Sequence, residues 1–348
     1  MRKYEMGFPI SSPRGEMGNF CINSHKTLYK VMELCYNLIN MGRTVFPAQR
    51  LEVISQTPKR KPYHKEETMN TAITFCAFAD EADASRLGQI KALTENGITR
   101  LEIRGVDGTN ISALSREDAL RFKSELDAAG ISVWSIGSPA GKTRISDDFD
   151  TDVRQFEHLL DMAEIFGAKR IRLFSFYGTE GADEAFPEVI RRLRVFCDMC
   201  EARGVIPCHE NEKGIYGDIA ARCLRIHQAL PCLKAVFDPA NFIQCGQDVM
   251  EAWEMLAPYV EYCHIKDAEA DGHIVPPGKG VAQLDKLLPL FAQNGGEVLT
   301  LEPHLAEFVG LKALEGDVER SEVGGLHFEN NRAAFDHAVA CLRAVLNT

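Results

Sequence analysis

From Met69 onward the chain repeats one unit, a short apolar run followed by a longer stretch whose apolar residues recur at helical spacing. "AITFCAF" (72–78) precedes "ADASRLGQIKALTENG", where Gly97 stands at the usual place for a helix to stop. The next pairs are "ITRLEIR" with "SREDALRFKSELDAAG", "ISVWSIGS" with "DTDVRQFEHLLDMAEIFGA", and "RIRLFSF" with "DEAFPEVIRRLRVFCDMCEARG". "VIPCHEN" is followed by "DIAARCLRIHQAL", "LKAVFDPAN" by "DVMEAWEMLAPY", "VEYCHIKD" by "VAQLDKLLPLFAQNG", and "EVLTLEPHL" by "HFENNRAAFDHAVACLRAVL". Strands alternating with helices imply a parallel sheet, and eight such units in the 280 residues from Met69 to Thr348 match a closed (β/α)8 barrel, the TIM barrel, as a single domain. An open doubly wound sheet is the alternative, but the first strand is followed by no G-x-G-x-x-G and the chain contains no G-x-x-x-x-G-K-[ST].

Residues 1–68 lack this rhythm and form an irregular N-terminal extension. They hold 11 Lys+Arg and 6 Asp+Glu, a net of +5, which leaves 28 against 44, a net of −16, for residues 69–348. Lys65-Glu66-Glu67 can be back-translated as AAG-GAG-GAA, a bacterial ribosome-binding sequence a short distance before the Met69 codon, so this segment is expected to be a mistranslated leader or a disordered extension. The acidic body disfavours a nucleic-acid partner. No apolar run is long enough to span a membrane, and "MRKYEMGFPI" has no continuous apolar core of a secretory signal. Eleven scattered cysteines, with one C-x-x-C at Cys197 and Cys200, suit reduced thiols in the cytoplasm better than a disulfide framework.

Barrel strands alternate inward and outward, and active sites gather at their C-terminal ends. In strand five Ile206, Cys208 and Glu210 share a face; in strand six Val236 and Asp238; in strand seven Tyr262 and His264; in strand eight Thr300 and Glu302. Each face ends on a metal-ligand type. Singly, a Glu beside a strand is commonly solvated, a His is commonly a hydrogen-bonded core residue, and Asp238 before Pro239 starts turns well. Together, two Glu, one Asp and one His converge at one end of the barrel as a mostly oxygen site with one imidazole, suited to one divalent ion, Mn²⁺ first, with Mg²⁺, Co²⁺ or Zn²⁺ as alternatives.

"HEN", "FDPANF", "HIKD", "VPPGKG" and "LTLEPHL", in this order and spacing, resemble the sugar phosphate isomerase/epimerase superfamily of xylose-isomerase-like barrels, which includes ketose 3-epimerases, inosose dehydratase and endonuclease IV. The resemblance runs from about Met69 to the C-terminus. It implies metal ligation by Glu210, Asp238, His264 and Glu302, with Glu210 and Glu302 doubling as the acid/base pair, and a small sugar or cyclitol as substrate. The implied chemistry is proton removal beside a metal-bound carbonyl, leaving an enediolate that the ion stabilises. Two positions depart from the epimerases: their His three residues after the strand-six Asp is Asn241 here, and their Arg six residues after the strand-seven His is Ala270. Both contact substrate in that branch, so sugar preference does not carry over.

Other residues have two readings each. Lys266 can bind substrate or form a rim salt bridge. "PPGKG" (276–280) can present backbone N–H groups and Lys279 to an anion, or be a simple turn. Glu102 and Arg172, on strands two and four, can pair inside the barrel or line the pocket floor. His304 is a candidate substrate contact, and Trp134 and Phe176 are either an apolar wall for a sugar ring or core. The leading function is a metal-dependent isomerase or epimerase of a ketose, sugar phosphate or cyclitol. An inosose-type dehydratase differs only in the fate of the enolate. A repair endonuclease needs extra His ligands on early strands, which "EIRGVDG", "SIGSPAG" and "LFSFYG" lack; a non-catalytic sugar-binding barrel does not need four ligands. A homo-oligomer is compatible with all of these.

Overall fold

The computed structural model describes residues 73–308 and 326–347. The proposed leader, 1–68, lies outside the described residues. Eight parallel strands close into a barrel: β1 (Thr74–Ala77), β2 (Arg100–Ile103), β3 (Ser132–Ile136), β4 (Arg170–Leu173), β5 (Ile206–Glu210), β6 (Lys234–Phe237), β7 (Val260–Ile265) and β8 (Val298–Leu301). The ring is shut by β1 against β8, from Thr74 beside Val298 to Ala77 beside Leu301. Between and after the strands run α1 (Arg86–Glu95), α2 (Arg116–Ala128), α3 (Phe149–Phe166), α4 (Phe186–Arg203), α5 (Ala220–Ala229), α6 (Val249–Leu256), α7 (Leu284–Gln293) and α8 (Asn331–Leu346).

The helices form where their sequences cap and bury them. Ser85 Oγ accepts the Gly88 N–H to start α1, and Asn330 does the same for Ala333 in α8. In α3, Phe149, Phe156, Leu159, Leu160, Ala163 and Phe166 share the buried face, and Gly167 ends the helix at φ +69°, where a side chain would be strained. Two apolar cores result. The larger lies between barrel and helices. The smaller fills the barrel itself with Cys76, Cys208, Val236, Tyr262 and Val298, and Trp134 and Ile206 pack against it. Inward residues of β5, β6 and β7 thus form the layer beneath the polar ends of the same strands.

The register is irregular at two places: between β6 and β7, where Ala235 lies beside Val260 but Val236 beside Tyr262, and between β2 and β3. The β2–β3 register runs from Leu101 beside Val133 to Glu102 beside Ser135, a bulge at Trp134. Trp134 points into the lower barrel, edge-on to Tyr262 at 6.3 Å, with the guanidiniums of Arg100 and Arg170, first residues of β2 and β4, over its ring at 4.6 and 3.6 Å. It belongs to the N-terminal end of the barrel and not to a wall at the mouth. Phe176 packs outward against Phe149 and Phe196, in the outer core.

Candidate metal centre

At the C-terminal ends of β5 to β8 the structure brings Glu210, Asp238, His264 and Glu302 together, each buried, with one ligand atom apiece lying within 4.8 Å of all the others. His264 Nδ1 is 3.0 Å from Glu210 Oε1 and 3.2 Å from Glu302 Oε2. Asp238 caps the short helix Pro239–Gln244: its Oδ1 accepts the Asn241 N–H at 2.9 Å. That leaves Oδ2 for the cluster, where the Lys266 ammonium is 2.9 Å away but makes no hydrogen bond, so a buried carboxylate oxygen stands without a hydrogen-bond partner. Asn211, the Asn of "HEN", holds β5 to β6 by donating to the Asp238 carbonyl at 2.8 Å and accepting its N–H at 2.9 Å. Asn241 Nδ2 donates to the Asn211 carbonyl at 2.9 Å and reaches Glu210 Oε1 at 3.4 Å.

Each glutamate turns one oxygen toward His264 and the other toward a guanidinium. Arg172 Nη1 donates to Glu210 Oε2 at 3.0 Å and lies 3.7 Å from Glu302 Oε1. Arg104 donates to Glu302 Oε1 at 2.8 Å, to both Asp80 oxygens at 3.0 Å, and to Glu81 at 3.1 Å. Phe78 lies under both cations, its ring 4.3 Å from Arg104 and 5.1 Å from Arg172. His304 Nε2 is 3.4 Å from Glu81 and 3.6 Å from Glu302, and its backbone N–H, held at φ +47°, donates to Glu81 Oε2. Glu102 and Arg172 do not pair: the carboxylate goes to Tyr262 and His264, the guanidinium to Glu210.

Burial and neighbouring charge pull these groups in different directions. Burial would raise Glu210, but His264 and Arg172 hold it down to about 2. Glu302 is likewise held well below the usual range by Lys266 and His264, against burial. Asp238 goes the other way, raised by burial to about 6 despite Lys266. Burial lifts Glu81 to about 8 and depresses His304 to about 4. His264 is pushed well above its ordinary value, because Glu210, Glu102 and Glu302 outweigh burial.

The donor set fits a divalent ion: three carboxylates of like charge crowd one imidazole, Asp238 Oδ2 faces the cluster with only its 2.9 Å ion pair to Lys266, and the far ring nitrogen of the His is backed by a carboxylate. Lys266, His304, Arg172, Asn241 and Glu102 border the cluster. Lys279 is exposed and has its electrostatic neighbour in Cys341 of α8. The "PPGKG" amides already hold an anion, the carboxylate of Asp267, which accepts from Gly278, Gly280 and Ala282 at 2.9 to 3.1 Å. Asp80, Glu81, Arg104 and Phe78 escaped the sequence reading, although Cys76-Phe78-Asp80 and Glu102-Arg104 carry the same period-2 signal as the later strands.

Comparison with known proteins agrees with this architecture. A curated relative, 3-dehydroshikimate dehydratase of Bacillus anthracis, is 23% identical over 208 residues, covering 57% of this chain and 73% of its own. D-psicose 3-epimerase of Clostridium cellulolyticum H10, solved with D-tagatose, superposes with a TM-score of 0.62 at 16% identity, over 79% of this chain and 99% of its own. A xylose isomerase-like TIM barrel protein of Mycobacterium smegmatis, solved with magnesium, gives 0.57 at 14% identity, over 80% and 97%. The family described as xylose isomerase-like TIM barrel matches residues 90–343, and the chain belongs to it.

Proposed function

We propose that the protein is a metal-dependent isomerase or epimerase of a small ketose, sugar phosphate or cyclitol. The observation that carries this reading is the convergence of Glu210, Asp238, His264 and Glu302 from four consecutive strands on one buried point. A divalent ion held there, Mn²⁺ by preference, supplies Lewis acidity to a substrate carbonyl. Glu210 and Glu302 then act on the carbon beside that carbonyl: one removes its proton, the other returns a proton to the opposite face, which inverts the centre. Arg172 and Arg104 hold the far oxygens of these two carboxylates and fix their orientation. Lys266, His304 and Asn241, which border the cluster, are the residues we assign to substrate hydroxyls, and the burial of the cluster would keep bulk water from the carbanion.

A dehydratase is the second reading, favoured by the Bacillus anthracis relative. It uses the same proton removal, followed by loss of hydroxide from the next carbon. Solvent-deuterium incorporation into a panel of ketoses and inososes by Mn²⁺-loaded enzyme tests both, since exchange reports proton removal whatever the product. Glu210→Gln and Glu302→Gln keep an oxygen ligand and remove the base, so turnover is expected to fall roughly 100-fold or more with metal partly retained. Wild-type turnover by both metal-loaded variants would leave a barrel that binds metal without this chemistry.

A further inference from the structure

Glu102, at the end of β2, is fully buried, and among the described residues no Arg or Lys lies within salt-bridge distance of it. Such a carboxylate is costly unless its oxygens are satisfied. Oε1 accepts the Tyr262 O–H at 2.8 Å, and the Tyr262 oxygen is 3.2 Å from Ser135 Oγ. Oε2 is 3.2 Å from His264 Nε2. The imidazole is also held edge-on between Phe78 at 5.2 Å and Tyr262 at 5.6 Å.

We infer that Glu102 is a positioning residue that fixes which nitrogen of His264 serves the metal centre, an inference that rests on the metal reading proposed above. Tyr262 O–H donates to Glu102, which leaves Ser135 Oγ–H to donate to Tyr262, and with Nε2 turned to Glu102 Oε2 the ring presents its other nitrogen to the cluster. The lone pair available to an ion is then on Nδ1, the nitrogen that faces Glu210 and Glu302. The bulge at Trp134 has a use in this account, since it brings Ser135 rather than Trp134 beside Glu102. Carboxylate, imidazole and ion in line is the arrangement by which neighbouring groups raise ligand basicity and lock ring orientation.

The test is Mn²⁺ affinity by calorimetry together with long-range ¹H–¹⁵N spectra of ¹⁵N-histidine protein loaded with diamagnetic Zn²⁺. Wild type is expected to show His264 protonated on Nε2 and metallated on Nδ1. Glu102→Ala should weaken Mn²⁺ binding by about 10- to 100-fold, and Glu102→Gln, whose carbonyl still accepts from Nε2–H, should restore most of it. Should Glu102→Ala fail to fold, Tyr262→Phe leaves the carboxylate under the imidazole but frees Oε1, and a smaller loss of affinity is expected. A merely structural Glu102 would lower thermal stability without moving the dissociation constant or the tautomer. Unchanged Mn²⁺ affinity in folded Glu102→Ala, or a wild-type spectrum with the ion on Nε2, overturns the inference alone; a wild type that binds no divalent ion overturns the metal reading with it.

Discussion

Asp238→Asn separates a metal site from a structural ion-pair network, because the two assign opposite signs to one measurement. Asn keeps the side-chain volume and the oxygen that caps Asn241, and removes only the charge whose Oδ2 stands beside Lys266 without a hydrogen bond. Burial raises Asp238 from 3.8 to about 6, so at pH 7 its ionised form is held at a cost of roughly 3 kcal/mol, at 1.36 kcal/mol per pKa unit. Facing an amide N–H₂ to the Lys266 ammonium returns about 1 kcal/mol of that cost. In EDTA at pH 7 the variant should therefore be more stable than wild type by ~2 kcal/mol, or roughly 3–4 °C for a barrel of this size. With Mn²⁺ at 100 times the dissociation constant, wild type gains ~2.7 kcal/mol that the variant lacks, and the order reverses. Differential scanning fluorimetry in both buffers reads this directly. An Asp238→Asn protein less stable than wild type in EDTA would mean that the carboxylate serves the fold through Lys266, and the argument for a ligand kept at the expense of stability fails.

Two further outcomes follow from the same physical terms. Glu81, raised to about 8, binds more protons folded than unfolded between pH 4.5 and 8, so it makes metal-free protein less stable as pH rises through that window. His264, also raised, acts in the same direction above 6.5, whereas His209, His227 and His304, all depressed, act oppositely and only below 6.5. Between pH 6.5 and 8 denaturant unfolding should show stability falling with pH, and Glu81→Gln should reduce that slope by up to ~1.4 kcal/mol per pH unit; an unchanged slope refutes the assignment. Asp267→Ala removes the acceptor for the amides of Gly278, Gly280 and Ala282, at ~1–3 kcal/mol per buried donor less what water recovers at this partly exposed loop, so a loss of about 2–4 kcal/mol is expected, about half of it regained in Asp267→Asn. Equal stability of Asp267→Ala and wild type would show that the loop closes by itself.

What the sequence disclosed depended on how local the determining physics is. Alternation along β5 to β8 requires only residue order, so the inward sharing of Cys208 with Glu210 and Tyr262 with His264 was legible, and the barrel-filling cluster contains the apolar members of those pairs. Of the two readings open for Trp134 the structure takes core packing over a wall at the mouth, and the bulge that sets Ser135 beside Glu102 could not be read from alternation. The "PPGKG" amides were visible as donors, but their acceptor, Asp267, is eleven residues from Gly278 and is brought there by the Asp267–Ala268 and Ile274–Val275 hairpin. Arg104 was missed for a related reason. Its carboxylate partners come from the turn after β1 and from β8, which meet only when the ring closes.

Ring closure also sets the charge of the site. Six buried carboxylates, Asp80, Glu81, Glu102, Glu210, Asp238 and Glu302, face three permanent cations, Arg104, Arg172 and Lys266. On the metal reading His264 is a neutral ligand, and the formal charges of these groups then sum to −3, which buried groups do not sustain without compensation. A divalent ion brings it to −1, and Glu81, held protonated near neutral pH by burial, brings it to zero. The three cations are thereby spent on carboxylates: Arg104 on three, Arg172 on Glu210, Lys266 on Asp238. A substrate phosphate placed among them would restore the deficit that the ion removes. Under the proposed function a neutral sugar or cyclitol would leave this balance intact, and an anionic group on the substrate is expected to lie at the rim, beyond Glu302 and His304, where solvent shares the cost.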